Sequence, residues 1–284
     1  MHWPSRCATL IPCHNESDAV FSLVKVVRQA LPTVIVVDDG STDGTAAQAE
    51  AAGARVIRFS RSRGKGAALM DGFALAKQFG FSWALTMDGD GQHSPADIPE
   101  FLRRASDTGA ALVVGNRFAP GFAMPAMRRI VNRTMSALLS RRLGIALPDS
   151  QCGFRLARLD EIRPEDFQTR HFEFESEMLA VFAARGLRIE FVPVASIYST
   201  ERSKIRVVPD SWRWLSWFVK SSARSKSRMR SPVRPENSSS ADTETSGWPG
   251  QRRAPAGVPS YLDRKLGTRF PTPRFGAQKA AARD

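Results

Sequence analysis

The sequence has few cysteines. Only Cys7, Cys13 and Cys152 occur among its 284 residues, and their spacing is not that of a metal site. A small, odd number of cysteines argues against a disulfide-stabilised secreted domain. We therefore expect three reduced thiols and a cytoplasmic protein.

Long apolar runs are also missing. No stretch approaches the ~18 consecutive apolar residues that a membrane-spanning helix needs. The first six residues do not lead into the apolar core of a signal peptide. These absences predict a soluble or peripheral protein, with the inner face of the membrane as the expected place of any lipid contact.

Two phosphate-binding motifs are absent as well. The sequence contains no Gly-x-x-x-x-Gly-Lys-Ser/Thr loop, which argues against a P-loop nucleotide site. The segment Gly64 to Leu69 has two glycines of a dinucleotide-binding fingerprint, but it lacks the third and follows the third predicted strand instead of the first. A dinucleotide-dependent enzyme is therefore disfavoured.

The basic charge is concentrated near the C-terminus. The net charge is +13, and the last 64 residues hold 13 Lys and Arg against 5 Asp and Glu, or +8 of that total. That segment is rich in Ser, Pro and Gly and has no helical or strand period, which predicts a folded domain over 1–224 and a disordered tail over 225–284. Such a tail suits anionic lipid headgroups better than nucleic acid. A non-catalytic nucleic-acid-binding protein would explain the charge but not the acidic turns described below.

Apolar strands alternate with helices before the tail. The predicted strands are Cys7–Ile11, Thr33–Val37, Arg55–Phe59, Phe81–Met87, Ala111–Gly115 and Arg188–Val194. The predicted helices are Ser17–Ala30, Gly44–Ala52, Gly64–Gly80, Ser94–Ser106, Met127–Arg142 and Phe172–Arg185. This alternation predicts a Rossmann-like α/β domain with a mostly parallel sheet and helices on both faces.

Two acidic turns close predicted strands. Asp88 and Asp90 stand two residues apart after one strand, and Asp38 and Asp39 follow another. Carboxylate ligands suit Mg²⁺ or Mn²⁺, and the carboxyl ends of parallel strands share one crevice. The alternative, that these aspartates only cap helices, is disfavoured because a helix needs one such acceptor and each turn supplies two.

The combined motifs resemble those of family 2 glycosyltransferases with the GT-A fold, in the pattern of the dolichyl- and polyprenyl-phosphate mannosyl and glucosyl synthases. The matching segments are 10–16, 36–45, 63–69, 87–93, 115–118, 149–155 and 172–179. The resemblance implies an inverting enzyme that moves a hexose from a GDP- or UDP-linked donor to a polyprenyl-phosphate-like acceptor. Transfer to a glycan or lipid hydroxyl stays open as the alternative.

The resemblance also assigns residues to the nucleotide-sugar donor. The expected donor-binding residues are Pro12, Asn15, Glu16, Asp39, Lys65, Asp88, Arg202 and Lys204. Lys65, at a glycine-flanked helix start, suits a phosphate or a donor-site carboxylate, although a solvated lysine is the alternative. The family often has an arginine at the position of Tyr198, so neutralisation of the diphosphate would fall to the loop lysine and arginines.

Asp88, Asp90 and Gln92 are the expected metal ligands. Mg²⁺ or Mn²⁺ held mainly by Asp90 would stabilise the leaving diphosphate as a Lewis acid. His93 is either a further ligand or a hydrogen-bonding neighbour of the metal site.

The acceptor residues are expected after the acidic motif. Arg117 and Arg133 would hold an acceptor phosphate, which is already ionised and needs no general base. Asp149 is the candidate base if the acceptor is a hydroxyl, and otherwise it would orient the sugar. Some arginines of this region could instead form a solvated helix face.

A Trp-rich segment over 209–221 predicts an amphipathic helix. Its apolar residues are Trp212, Trp214, Leu215, Trp217, Phe218 and Val219. Such a helix suits a membrane interface, but packing on the domain would produce the same pattern.

Overall fold

The computed structural model describes residues 2–118, 124–196 and 207–228. The chain divides into the units Met1–Ser222 and Ala223–Asp284, and every described strand belongs to the first. Nearly all of the predicted tail, together with Tyr198, Arg202 and Lys204, lies outside the described residues. The domain boundary after residue 224 stays a prediction.

Strands and helices alternate along the described chain. The strands are β1 (Cys7–Cys13), β2 (Val34–Asp38), β3 (Arg55–Arg58), β4 (Trp83–Thr86), β5 (Leu112–Asn116), β6 (Arg155–Arg158) and β7 (Ile189–Pro193). The α-helices are α1 (Ser17–Ala30), α2 (Thr45–Ala51), α3 (Lys65–Gln78), α4 (Ile98–Thr108), α5 (Ala126–Leu143), α6 (Phe174–Ala184) and α7 (Val207–Arg228).

The strands form one seven-stranded sheet in the order β3-β2-β1-β4-β6-β5-β7. Strand β6 runs antiparallel to both of its neighbours, and all other pairings are parallel. Every residue of β2 and β4 is buried, so helices cover both faces of the sheet centre. The predicted mostly parallel sheet is confirmed.

Strand β6 is the one described strand that the sequence did not predict. Its four residues begin and end with arginine, which hides the apolar pattern of a buried strand. Arg155 is nevertheless buried, because its guanidinium donates hydrogen bonds to the carbonyl oxygens of Ser150, Cys152 and Glu175. This arginine ties the loop before β6 to the start of α6.

The cysteines agree with a further expectation. Cys7, Cys13 and Cys152 are buried free thiols. Within 2–118, 124–196 and 207–228, no helix has the length and apolarity needed to cross a membrane.

Candidate active site

The first two strand-to-helix turns meet at one edge of the sheet. The backbone N–H of Asp39 donates to the carbonyl oxygen of Cys13 at 2.8 Å. Asn15 joins the same turns, since its N–H donates to Ser41 Oγ and its Oδ1 accepts from the N–H of Thr42, both at 2.9 Å. Asn15 reaches these partners from a left-handed backbone conformation with φ 55°. Its role in the structure is to fix the two turns.

A cavity of about 340 Å³, hereafter the cleft, opens at this edge of the sheet. Of the predicted site residues, it is lined by Pro12, Glu16, Asp39, Lys65, Asp88, Asp90, Gln92 and Arg117. Asn15, Arg133 and Asp149 are not among the described residues that line it. Further lining residues include Arg128, Gln151, His171, Phe172, Glu173, Glu175 and Trp214.

Asp39 organises the loop that leads into α3. Its carboxylate accepts hydrogen bonds from Ser62 Oγ at 2.7 Å, from the N–H of Arg63 at 2.6 Å and from the N–H of Gly64 at 2.9 Å. Both aspartates are buried, but Asp38 accepts from the N–H of Ser41 within its own turn. Asp39 therefore fixes the entry to the helix that begins at Lys65.

Lys65 lies between two carboxylates. Its Nζ is 2.5 Å from Asp88 Oδ1 and 2.6 Å from Glu175 Oε1, and its side chain is only 15% exposed. Lys65 is thus an internal residue of the cleft wall and not a solvated lysine at a helix start. It joins the acidic turn after β4 to helix α6.

Electrostatic interactions keep both Lys65 and Asp88 charged. Burial opposes the charge of Lys65, but Asp88 and Glu175 outweigh it and raise the lysine pKa. Burial also opposes the charge of Asp88, whereas Lys65 and His93 lower its pKa below the ordinary range. Both partners are therefore ionised at neutral pH, and the charge of Asp88 is already compensated by protein groups.

Asp90 is in a different electrostatic position. Its pKa is raised, first by burial and second by the charge of Asp88. Its Oδ1 accepts a hydrogen bond from the N–H of Gln92 at 3.0 Å, which orients the carboxylate. An ionised Asp90 next to Asp88 would be stabilised by a cation in the cleft.

The donor set fits a divalent cation that the substrate helps to bind. In the part of the chain that the structure describes, no group of three or more His, Cys, Asp or Glu is arranged to hold a metal ion by itself. Mg²⁺ usually takes one or two carboxylates and completes its coordination with water and substrate phosphates. Asp90 and Asp88 match that arrangement.

His93 lies beside Asp88 in the wall of the cleft. The ring is buried, and its Nε2 lies 3.4 Å from Asp88 Oδ2. It also packs against Phe154, with 5.3 Å between ring centroids. This placement favours the prediction of a hydrogen-bonding neighbour over that of a further metal ligand.

Arg117 and Asp149 form a buried bidentate ion pair. Arg117 Nε lies 2.8 Å from Asp149 Oδ2, and Arg117 Nη2 lies 3.0 Å from Oδ1. Asp149 also accepts from the N–H of Gln151, and its side chain is fully buried. Although burial opposes its charge, Arg117 lowers the pKa of Asp149. The structure thus places Asp149 behind Arg117 and not at the cleft surface.

Two arginines of α5 have different surroundings. Arg128 lines the cleft together with Arg117. Arg133 lies instead over the ring of Phe118, with its guanidinium carbon 5.4 Å from the ring centroid. Arg128 is therefore better placed than Arg133 to share a ligand with Arg117.

Sequence reasoning missed the part that Glu175 plays. Glu175 and Glu177 are both buried on α6, an otherwise strongly apolar helix. That pattern was a usable signal, because a buried carboxylate requires a partner. Glu175 meets Lys65, whereas Glu177 accepts hydrogen bonds from the N–H groups of Gln168 and Thr169 and has a local structural role.

Gly153 allows a close approach to the ion pair of Lys65 and Asp88. A Cβ atom at this position would lie 2.5 Å from Asp88 Oδ1 and 2.8 Å from Lys65 Nζ. We expect Gly153→Ala to displace both side chains and to weaken nucleoside diphosphate binding by about tenfold or more, the usual effect of disturbing a charged hydrogen bond. Calorimetric titration with Mn²⁺ present measures this effect.

Gly44→Ala is the matched control for that measurement. Gly44 has open space around its missing Cβ and a backbone conformation that alanine adopts readily. We expect this variant to bind as the wild type does. Equal affinity of the Gly153→Ala variant and the wild type would contradict the role given to the ion pair.

Comparisons with known proteins agree with this architecture. Residues 9–162 match the family model described as glycosyl transferase family 2. An undecaprenyl-phosphate mannosyltransferase of Micrococcus luteus is 31% identical over 205 residues, covering 68% of this chain and 84% of the relative. A polyprenol monophosphomannose synthase of Mycolicibacterium smegmatis is 30% identical over 203 residues, covering 66% of this chain and 76% of the relative.

A solved structure shows the same fold. Glucosyl-3-phosphoglycerate synthase of Mycobacterium tuberculosis, in complex with Mn²⁺, UDP-glucose and phosphoglyceric acid, superposes with a TM-score of 0.62 at 22% identity. The match covers 76% of this chain and 79% of that one. The GT-A fold predicted from the sequence is confirmed.

Proposed function

Because the chain belongs to glycosyl transferase family 2, we propose that it moves a hexose from a GDP- or UDP-linked donor to a polyprenyl phosphate. One observation carries the proposal: the cleft brings the acidic pair Asp88 and Asp90 into the same cavity as Arg117 and Arg128. The first pair suits a metal-bound diphosphate and the second suits an anionic acceptor. The names of the two relatives support a lipid phosphate as the acceptor.

On the donor side, the turns after β1 and β2 would hold the nucleoside through Pro12, Glu16 and Asp39. The diphosphate would then extend toward Lys65 and Asp90. Mg²⁺ or Mn²⁺ bound at Asp90 would supply Lewis-acid stabilisation of the leaving diphosphate. Lys65, fixed by Asp88 and Glu175, adds a positive charge that needs no rearrangement during the reaction.

On the acceptor side, Arg117 positions the phosphate. A phosphate oxygen attacks the anomeric carbon from the face opposite the donor diphosphate, so the configuration inverts. The new bond joins the anomeric carbon to the acceptor oxygen, and the electrons of the broken bond leave with the nucleoside diphosphate. The acceptor phosphate is already ionised, so no base has to remove a proton.

The position of Asp149 favours this chemistry over transfer to a hydroxyl. A general base must reach the proton that it removes. Asp149 is fully buried behind Arg117. Although burial opposes its charge, Arg117 lowers the pKa of Asp149, which makes the carboxylate a weaker base. The position of Asp149 instead supports a role in orienting Arg117.

The reaction itself can be tested by following labelled hexose from GDP-mannose and from UDP-glucose with Mn²⁺ present. The acceptors are a short-chain polyprenyl phosphate and the corresponding neutral polyprenol. We expect transfer to the phosphate alone, from one of the two donors. Transfer to the neutral polyprenol at a comparable rate would contradict the proposed acceptor.

The outer faces of α5 and α7 support a location at a membrane surface. Met127, Ile130 and Leu138 on α5 and Trp212, Leu215 and Val219 on α7 are exposed apolar side chains. Arg142 connects the two helices by donating to the carbonyl oxygen of Phe218 at 2.8 Å. The opposite side of α7 packs on the domain, where buried Trp214 donates to Ser176 Oγ. We propose that the exposed faces, with their arginines, lie on an anionic bilayer.

Replacing Trp212 and Val219 together with Ser tests this surface. These side chains are 72% and 60% exposed, so their loss should leave the fold intact. We expect at least ~10-fold weaker binding to anionic vesicles, because each buried apolar side chain contributes ~1.5 to 3 kcal/mol. Transfer to a soluble short-chain acceptor should be unchanged.

Phe21→Ser is the control for vesicle binding. Phe21 is an exposed apolar residue on α1, outside the proposed membrane surface. Co-sedimentation of the three proteins with vesicles gives the comparison. Equal binding by the double variant and the wild type would refute the proposed membrane surface.

A further inference from the structure

The segment 170–173 lies directly against the start of α3. The N–H of Ala67 donates to the carbonyl oxygen of Arg170 at 3.2 Å. A Cβ atom at Gly64 would lie 2.3 Å from that same oxygen, and one at Gly66 would lie 2.9 Å from Phe174 Cβ. The two glycines next to Lys65 therefore serve the close packing of this segment, and its position relative to Lys65 is fixed.

Two side chains of the segment face the cleft beside the expected diphosphate position. Phe172 and Glu173 both line the cleft. The ring of Phe172 is partly exposed, and its centroid lies 5.6 Å from Lys65 Nζ. This nitrogen in turn contacts Asp88. Phe172 and Glu173 thus border the space next to the diphosphate group of a bound donor.

Glu173 has unused hydrogen-bonding capacity. Its Oε2 is buried and has no hydrogen-bond partner among the described residues. Of the neighbouring acidic residues on α6, Glu177 accepts hydrogen bonds from the N–H groups of Gln168 and Thr169. Glu175 forms an ion pair with Lys65 through Oε1, and its buried Oε2, like that of Glu173, has no hydrogen-bond partner among the described residues. A buried acceptor without a partner is unfavourable, so a ligand that donates hydrogen bonds would be stabilised there.

We propose that Phe172 and Glu173 form the subsite for the donor's hexose. Glu173 accepts hydrogen bonds from sugar hydroxyl groups, and the ring of Phe172 packs against the apolar C–H face of the sugar. The inference rests on the proposed function and adds the substrate class, a neutral hexose. A carboxylate without a bound cation repels phosphates, so sugar hydroxyl groups suit Glu173 better than the diphosphate or the acceptor phosphate does. It also disfavours a uronic acid, which carries its own negative charge.

The subsite can be tested by separating the sugar's contribution to binding from that of the nucleotide. Calorimetry with Mn²⁺ would measure the Kd of GDP-mannose and UDP-glucose, and of GDP and UDP, for the wild type and for Glu173→Gln. The substitution preserves shape, removes the charge and replaces one acceptor oxygen with an NH₂ donor. For the nucleotide sugar that the wild type binds, we expect affinity to fall about tenfold or more, as for loss of a charged hydrogen bond. The Kd of the free diphosphate should be unchanged.

Two further variants sharpen the result. Phe172→Ala should also weaken binding of the nucleotide sugar and leave binding of the free diphosphate unchanged. Glu177→Gln is the matched control, because Glu177 is a buried carboxylate on α6, four residues after Glu173, and does not line the cleft. Glu177→Gln should alter thermal stability without changing the ratio of the Kd of the nucleotide sugar to the Kd of the free diphosphate.

The outcomes distinguish the inference from the function on which it rests. If the wild type binds neither nucleotide sugar, both the proposed function and the subsite are wrong. If the wild type binds one of them, and Glu173→Gln shows the same difference in affinity between the nucleotide sugar and the free diphosphate as the wild type, only the subsite is wrong. An equal loss for the sugar nucleotide and the free diphosphate would also overturn the subsite.

Discussion

Replacing Asp90 with Asn is expected to abolish metal-dependent donor binding and to lower the transfer rate by at least roughly 10²- to 10³-fold, as for loss of a group that stabilises developing charge. The substitution keeps the shape of the side chain and removes one anionic ligand. Lys65 already compensates the charge of Asp88. Asp90 is therefore the carboxylate whose charge depends most on a bound cation.

The measurement is the Kd of the nucleoside diphosphate with and without Mn²⁺, together with the transfer rate. We expect the wild type to gain affinity from Mn²⁺ and the Asp90→Asn variant to gain almost none. Asp97→Asn is a suitable control, because Asp97 is a nearby carboxylate whose pKa is also raised by burial but which does not line the cleft. Near-normal turnover of Asp90→Asn at saturating Mn²⁺ would refute the metal assignment.

The positions of the acidic turns could be predicted because they depend on local pattern and simple topology. Apolar strands that end in Asp-rich turns place those turns at the carboxyl edge of a parallel sheet. In the structure, Asp39 after β2 and the pair Asp88 and Asp90 after β4 line the same cleft. No long-range information was needed for this part of the site.

The pairing of charges could not be predicted in the same way. Lys65 meets Glu175 across 110 positions of sequence, and Arg117 meets Asp149 across 32. Such pairs depend on how helices and loops pack and not on periodicity. Strand β6 was missed for a related reason, since the burial of Arg155 depends on three carbonyl groups that only the folded chain brings together.

The rotation of α5 about its own axis decides which of its arginines line the cleft. Arg128 and Arg133 both belong to α5, yet only Arg128 faces the cleft and Arg133 lies over Phe118. The sequence showed a basic helix without showing which side faces inward, because α5 exposes apolar as well as charged residues. Arg133→Ala should therefore affect transfer less than a change at Arg117.

The last prediction concerns the relation between Arg117 and Asp149. Asp149→Asn weakens the orientation of Arg117, so we expect a smaller loss of transfer than for Arg117→Ala. Removing Arg117 leaves a buried aspartate without its partner, which costs ~3 to 5 kcal/mol of stability in comparable pairs. The double variant, Arg117→Ala with Asp149→Asn, removes both charges and should recover much of that stability, as measured by thermal unfolding.

The double-mutant cycle decides between the two roles of Asp149. If Asp149 acts through Arg117, the double variant transfers sugar to polyprenyl phosphate about as slowly as Arg117→Ala alone, because the second change removes nothing further. If Asp149 were a general base, its loss would cost ~10²- to 10⁴-fold and would multiply with the loss of Arg117. The proposed phosphate acceptor would be contradicted if the rate losses of the two single variants multiply in the double variant, or if Asp149→Asn is far slower than Arg117→Ala. Either result would favour a hydroxyl acceptor.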